Sequence, residues 1–218
     1  MNKKVIIAIM FLVYLGGVIL NTVYQYKHDE DEVLRSIDRQ LGWAASGTSV
    51  ILGDNFHNQD TLDKLGKERY FEIMRQISRY NDKMGTAYVY SFVKRDGKVI
   101  FASTSYQANE WADHKYKDDF LQEYTDATDL LKATFLNEKI SFEESSDQWG
   151  TFRSILIPYK SSDGTTYVIG ADLDISDVKT KLQQSLFLSM KVELDISKMN
   201  YQQRAQLREK LQTIDNML

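Results

Sequence analysis

Asp147–Ser176 reads DQWGTFRSILIPYKSSDGTTYVIGADLDIS, and the reading of this stretch decides the fold. Two runs rich in apolar, β-branched and aromatic residues, Thr151–Lys160 and Thr165–Asp174, flank the polar Ser161-Ser162-Asp163-Gly164. That is the pattern of two β-strands joined by a turn. In the first run both alternating sets are largely apolar: Phe152, Ser154, Leu156 and Pro158 on one face, Arg153, Ile155, Ile157 and Tyr159 on the other. A strand of this kind belongs to a sheet covered on both sides. Pro158, the only proline, belongs near a strand end or where the ladder needs no donor.

Outward from this hairpin, Ala87–Lys94 (AYVYSFVK) and Lys98–Ser103 (KVIFAS) form a second strand pair across Arg95-Asp96-Gly97, where Asp-Gly suits a tight hairpin turn. Lys139–Glu144 is a short fifth strand. Ser103–Glu110 is a polar loop, and Lys117–Lys132 reads as helical through Phe120, Leu121, Tyr124, Leu130 and Leu131, with an interruption near Ala127-Thr128. Ahead of the strands, Val33, Ile37, Leu41, Ala44 or Ala45, Thr48 and Ile51 recur at helical spacing from Glu32 to about Gly53. Thr61–Lys83 is a second helical region, with Gly66 a candidate break within it. Between the two, the lone His57 reads as a polar loop or cap residue rather than a ligand. Hairpin partners are antiparallel, so the order describes an α+β domain with a five-stranded antiparallel sheet.

At the N-terminus, Asn2-Lys3-Lys4 precedes the uncharged run Val5–Leu20, which Val23 and Tyr24 extend to the length that spans a hydrocarbon core. The residues after it, Ile19-Leu20-Asn21-Thr22-Val23, lack the small pair that a signal-peptide cut needs, so an uncleaved anchor is expected. Lysines before the run and His28-Asp29-Glu30-Asp31-Glu32 after it place Met1 in the cytoplasm and the bulk of the chain outside. The expected organisation is a transmembrane anchor over residues 1–24, a domain over 31–176 and a C-terminal extension over 177–218. In that extension Val178–Met190 reads as helical, Lys191–Ser197 alternates like a strand, and Tyr201–Leu218 is helical with Leu207, Leu211, Ile214 and Leu218 in register. Leu186-Phe187-Leu188 is too short to span, so one crossing is expected.

A formal charge of −4 without a dense Lys/Arg patch argues against nucleic acid, whose phosphates need clustered positive charge. No cysteine is present, which removes disulfides and thiolate metal sites from consideration. His28, His57 and His114 are scattered without the close pairing of zinc sites, and no glycine-rich loop opens a helix as in nucleotide binders. Neighbouring Asp172 and Asp174 flank one strand residue and show no nucleophile or base beside them. No enzymatic activity, metal or cofactor is expected.

The anchor, the long helix, AYVYSFVKRDGKVIFASTS, the helical insert, and the WGTFRSILIPY and GADLDIS segments of the quoted stretch together resemble the single Cache, or PAS-like periplasmic, sensor domains of bacterial receptors. The resemblance covers about Asp31 to Ser176. It implies a five-stranded sheet, a long N-terminal helix along one face and a small-molecule pocket on the other, often for carboxylates or amino acids. Such domains are input modules of chemoreceptors, sensor histidine kinases and diguanylate cyclases. Family receptors run from the final strand into a second membrane helix and a signalling module. The residues after Ser176 do not read that way, so sensing is the firmer expectation and signalling the weaker.

Candidate ligand-binding residues follow from chemistry that suits a small polar ligand. Arg153 sits in an apolar strand, where its planar fork must meet an acceptor, either a ligand carboxylate or an internal partner such as Asp172. Tyr88 and Tyr90 share one face of their strand, and Phe101 and Ser103 are expected to share a face of the next. Trp149 would cap the pocket or anchor its loop, and Asp172 would receive an amine. The expected partners are an organic acid, amino acid or amine, the membrane through residues 5–24, and a second copy through the long helix. The competing reading is a membrane-anchored assembly protein that pairs through its long helices without a small-molecule ligand.

Overall fold

The quoted hairpin forms the centre of a sheet. In the computed structural model, which describes residues 2–112, 120–147 and 150–178, and beyond these 180–182, 184, 186 and 187, five strands pair antiparallel throughout. They are β1 (Tyr88–Arg95), β2 (Lys98–Thr104), β3 (Ser141–Asp147), β4 (Gly150–Lys160) and β5 (Thr166–Asp174), in the spatial order β2-β1-β5-β4-β3. β5 lies in the middle, paired with both β1 and β4, and its residues Tyr167–Ala171 are all buried. The Asp-Gly turn behaves as expected: Asp96 (φ 49°) and Gly97 (φ 78°) both take the left-handed conformation that matches strand twist in a two-residue hairpin.

Helix α1 (Lys3–Leu52), α2 (Gln59–Asp63) and α3 (Lys67–Met84) precede the sheet. Leu34–Ser176 is one compact unit. Within it, α1 buries Ile37, Leu41, Ala44, Ala45 and Thr48 of the stripe its spacing predicts, while Ile51, in the last turn of the helix, is exposed. Burying each Leu or Ile of this kind contributes about 1.5–3 kcal/mol. Gly42 faces Ile155, which puts α1 on the β4 side chains that alternate with Leu156. Gly66 does divide the second helical region: it is the N-cap of α3, and Gly85 in the left-handed conformation closes that helix. Outside this unit, the first part of α1 holds the one segment, among the described residues, long and apolar enough to cross a membrane. Its Ile7, Met10, Leu12, Val13 and Leu20 are exposed, so the segment is apolar all round. The described residues between 176 and 187 are helical.

Two expectations change. The helical reading of Lys117–Lys132 fails over its described part before Ala127. Phe101 N–H donates to Gln122 O, Tyr124 N–H donates to Val99 O, and Glu123 bridges Ile100, so residues 122–124 run beside β2, with turns on either side. The helix begins only at Asp129, where Thr128 caps it by accepting from Leu131 N–H, and α5 proper spans Asp129–Asn137 behind the short α4 (Ala108–Ala112). The fifth strand starts two residues late, at Ser141, because Glu138 turns left-handed (φ 52°) to end α5. Trp149, His114, the start of the expected 117–132 helix, Lys191–Ser197 and Tyr201–Leu218 lie outside the described residues.

Candidate functional site

Strand alternation gives the sheet two unlike faces. Tyr88, Tyr90 and Phe92 of β1, Ser154 and Leu156 of β4, and Val168, Gly170 and Asp172 of β5 share the face covered by α5. On it Phe92, Val99, Ala127, Leu131, Phe135, Leu156 and Val168 form a buried cluster, with Tyr90, Phe101, Tyr124 and Leu130 packed against it. Tyr124 stacks on Phe92 with centroids 5.1 Å apart, and Phe101 meets Phe92 at 4.6 Å. The pairing of residues 122–124 with β2, between two turns, is what brings Tyr124 there.

Tyr90 is the polar hinge of this face. Its Cα partner across the ladder is Gly170, and its ring lies over that glycine, where any Cβ would overlap it. Because Gly170 leaves the space, the phenol reaches diagonally to donate to Asp172 Oδ1 at 2.7 Å. Burial first, and then the Asp172 carboxylate, push the Tyr90 phenol well above its ordinary pKa, so it stays a donor. Tyr88, opposite Asp172 in the same ladder, donates to Glu110 Oε1 at 3.3 Å. Glu110 is held from α4 by Gln107 N–H, which donates to its Oε2 at 2.6 Å. A cavity of about 220 Å³ opens here, lined by Tyr88, Phe101, Thr104, Ser105, Tyr106, Glu110 and Gln122. Glu143 of β3, opposite Ser154, adds a third carboxylate to this face and accepts from Thr128 Oγ1 at 3.4 Å.

Tyr88, Tyr90, Phe101 and Asp172 are therefore brought together, while Ser103 and Arg153 face the other way. A bulge between Ser91 and Phe92 pairs Ser91 with Ser103 but Phe92 with Phe101. The extra residue, Ala102, flips the alternation, so Phe101 and Ser103 do not share a face as expected. Ser103 instead meets Ser91 Oγ at 2.7 Å. Arg153 is paired with Leu173, not Asp172, and points at α1. There its Nε and Nη2 donate to both Asp38 oxygens at 2.6 and 2.9 Å, and Nη1 donates to Glu144 at 3.3 Å. The ring of Phe142 lies 5.4 Å from the guanidinium. The internal partner suggested for Arg153 exists, but it is Asp38 rather than Asp172, since adjacent strand positions oppose each other in direction.

No protein-family model and no curated protein matches the chain. Solved structures do resemble it. They include the ligand-binding domain of the Campylobacter jejuni chemoreceptor Tlp3 in complex with L-valine, at 14% identity and a TM-score of 0.47. The Tlp3 sensory domain with isoleucine bound gives 13% and 0.44. Both comparisons cover 79% of this chain and 65% of the other, so the chain spans about two thirds of the length of those domains. The ligand-binding domain of the Pseudomonas aeruginosa chemoreceptor PctC in complex with GABA gives 13% identity and a TM-score of 0.33, over 73% of this chain and 68% of that one.

Several residues of the site escaped the sequence reading. Glu110 ends a stretch whose composition suggests a polar loop but stands in α4, and Tyr124 falls on a helical spacing but pairs with β2. Glu143 was legible in principle, because alternation along β3 puts it level with Ser154 and Asp172 once the strand order is known. His57 is the largest departure: it is fully buried on the face away from α5, stacked on Tyr167 at 3.7 Å, with Nε2 and Ser91 Oγ 2.8 Å apart.

Proposed function

We propose that residues 31–176 form the extracytoplasmic small-molecule sensing domain of a bacterial signal-transduction protein, a binder rather than an enzyme, anchored through residues 5–24 with the N-terminus inside. The observation that carries this is the Tyr90–Asp172 pair, set beside a cavity whose lining includes the Glu110 carboxylate and, among the described residues, no Lys or Arg. A face bearing Asp172, Glu110 and Glu143 between aromatic walls suits a ligand that presents an amine, so amino acids and amines are favoured over simple organic acids. The lysines before the apolar run support the orientation.

Ligand binding would act by population shift, closing α4 and the 120–126 segment onto the sheet. α1 lies on the opposite face, fastened by Asp38 to Arg153 and by Ser46 to Tyr159. Pairing of two copies through α1 is supported by its exposed Trp43 (66%) and Val50 (80%), seven residues apart and so on one helix face. The full chain in detergent, screened by thermal shift against amino acids, amines and organic acids, tests the reading. A saturable rise in Tm with an amine-bearing compound, lost in Asp172→Asn, is expected. No shift across the panel, with helix-mediated dimers intact, would favour the assembly reading instead.

A further inference from the structure

Leu34 and Ser176, where the chain enters and leaves the compact sheet-bearing unit, lie at the same end of it. α1 runs parallel to β4, since Asp38 meets Arg153, Gly42 faces Ile155 and Ser46 meets Tyr159. β5 runs the other way and ends with Asp174 opposite Phe152. Just beyond, Ile175 N–H donates to Thr151 O, and Thr151 N–H donates to Ser176 Oγ. The chain thus leaves β5 where α1 comes in. Asp174 Oδ1 accepts from Ser176 N–H at 2.8 Å, and the described residues from 176 to 187 are helical from that point.

The segments that continue outward, Met1–Val33 and Asp177–Leu218, form a compact unit of their own. Within it one face of α1 is covered: Thr22 is 4% exposed, and Tyr26, Glu30 and Val33 are half-buried, while Val23, Tyr24 and Lys27 are exposed. On a lone helix a side chain is shielded only by neighbours three and four positions away, which cannot bury Thr22. The other segment of the unit therefore supplies the cover. The helix after β5 carries a stripe to match: Val178, Leu182 and Leu186, four residues apart, are half-buried, whereas Asp177, Lys181 and Gln184 are exposed. Phe187, beside that stripe, is 71% exposed.

Because both segments start from one end of the sheet unit, their lengths fix where they arrive. From Val33 back to Tyr24, the last residue of the apolar run, α1 rises about 14 Å, and a helix from 177 to 187 rises about 15 Å. We propose, on the reading of residues 5–24 as the membrane anchor, that the helix after β5 runs back along α1 and sets Phe187 into the bilayer interface on the domain's side. In the sequence Leu186-Phe187-Leu188 and Met190 precede Lys191, a group apolar enough to enter the boundary between headgroups and acyl chains and too short to cross it. β5, the strand that carries Asp172, then ends in a lipid contact, a second hold on the membrane besides the anchor.

The chain has no cysteine, so single cysteines report cleanly. The full chain is reconstituted in vesicles of phosphatidylcholine and phosphatidylglycerol, with an environment-sensitive fluorophore on Phe187→Cys, Lys181→Cys or Val13→Cys, and lipids bearing a nitroxide near the headgroup or deep in the acyl chain. The shallow nitroxide should quench most of the emission at 187 and spare 181, which sits about 9 Å nearer the domain. With Phe187 kept and the probe on Gln184→Cys, partial quenching is expected and should be lost on adding Phe187→Ser. Tyr26→Cys combined with Leu182→Cys or Leu186→Cys should form a disulfide within one chain under mild oxidation. A spared probe at 187, equal quenching at 187 and 181, unchanged quenching at 184 in Phe187→Ser, or no disulfide from either pair would each overturn the proposal. Val13 separates the two readings: if the deep nitroxide quenches it while 187 is spared, only this inference falls, and if Val13 is spared the anchor falls with it.

Discussion

The Tyr90 ring rests on Gly170, and the absence of a side chain at Gly170 is what lets the phenol cross β5 to Asp172. The two residues are direct ladder partners, so the contact is set by register and not by a loop. Gly170→Ala is expected to expel the ring and destabilise the domain by roughly 1–3 kcal/mol, as overpacking does. Tyr90→Phe keeps the ring and loses only the hydrogen bond to the carboxylate, at about 1–2 kcal/mol. Urea unfolding midpoints of the two variants check this order, and a wild-type midpoint for Gly170→Ala would show that the ring does not sit there.

Arg153 fastens β4 to α1, and the pair is only partly solvated, with side-chain exposures of 17% for Arg153 and 23% for Asp38. A double-mutant cycle of Arg153→Ala and Asp38→Ala should give a coupling of roughly 1–2 kcal/mol, above the range of exposed pairs and below that of fully buried ones. Since Arg153 is on the face away from Asp172, Arg153→Ala should leave amine affinity essentially intact. Calorimetry on that variant decides it: a collapse of affinity with the fold preserved would return Arg153 to the ligand.

The contrast between Tyr90 and Arg153 shows what the sequence carries. Strand positions, the Asp-Gly turn and the α1 stripe were legible because each depends on local spacing and local turn chemistry. That Tyr88, Tyr90 and Asp172 share a face was legible only in part, since it needs the β1–β5 pairing between strands more than seventy residues apart. Ser103 was misplaced by one inserted residue, Ala102, which no pattern in KVIFAS announces. Arg153 could be seen to need an acceptor, but Asp38 is 115 positions away and only the packing of α1 on β4 selects it. Tyr124 was hidden because residues 122–124 take their place from pairing with β2 and not from their own periodicity, and Glu110 because α4 is only five residues long.

His57 makes the domain acid-sensitive. Its pKa is about 3 in the folded chain against 6.5 when free, because burial disfavours the charged ring. Above pH 6.5 both states leave it neutral. As the pH falls from about 6.5 to about 3 the unfolded chain takes up a proton that the folded chain refuses, so stability drops through that window, in total by on the order of a few kcal/mol. His57→Phe, which preserves stacking on Tyr167, should flatten the dependence. Unfolding at pH 7.5, 5.5 and 4.5, with the His57 ring signal followed by NMR, tests it; a ring that titrates near 6.5 in the folded protein contradicts the burial.

Ligand charge is the sharpest discriminator of the Tyr90–Asp172 face. Asp172→Asn keeps the shape and the Tyr90 contact while removing the anion, so an amine-bearing ligand should lose about 10- to 100-fold in affinity, the worth of a charge-assisted hydrogen bond. Glu110→Gln, at the cavity wall beside Tyr88, should cost less, because Glu110 is held by Gln107 N–H and Tyr88 whatever its charge. Simple organic acids should bind the wild type weakly or not at all, since the described lining offers them no cation. Calorimetry with matched pairs, an amino acid against its deaminated acid, measures the difference directly. Tight binding of the acid, strengthened in Asp172→Asn, would mean that the face reads a carboxylate and that its cation comes from elsewhere in the chain.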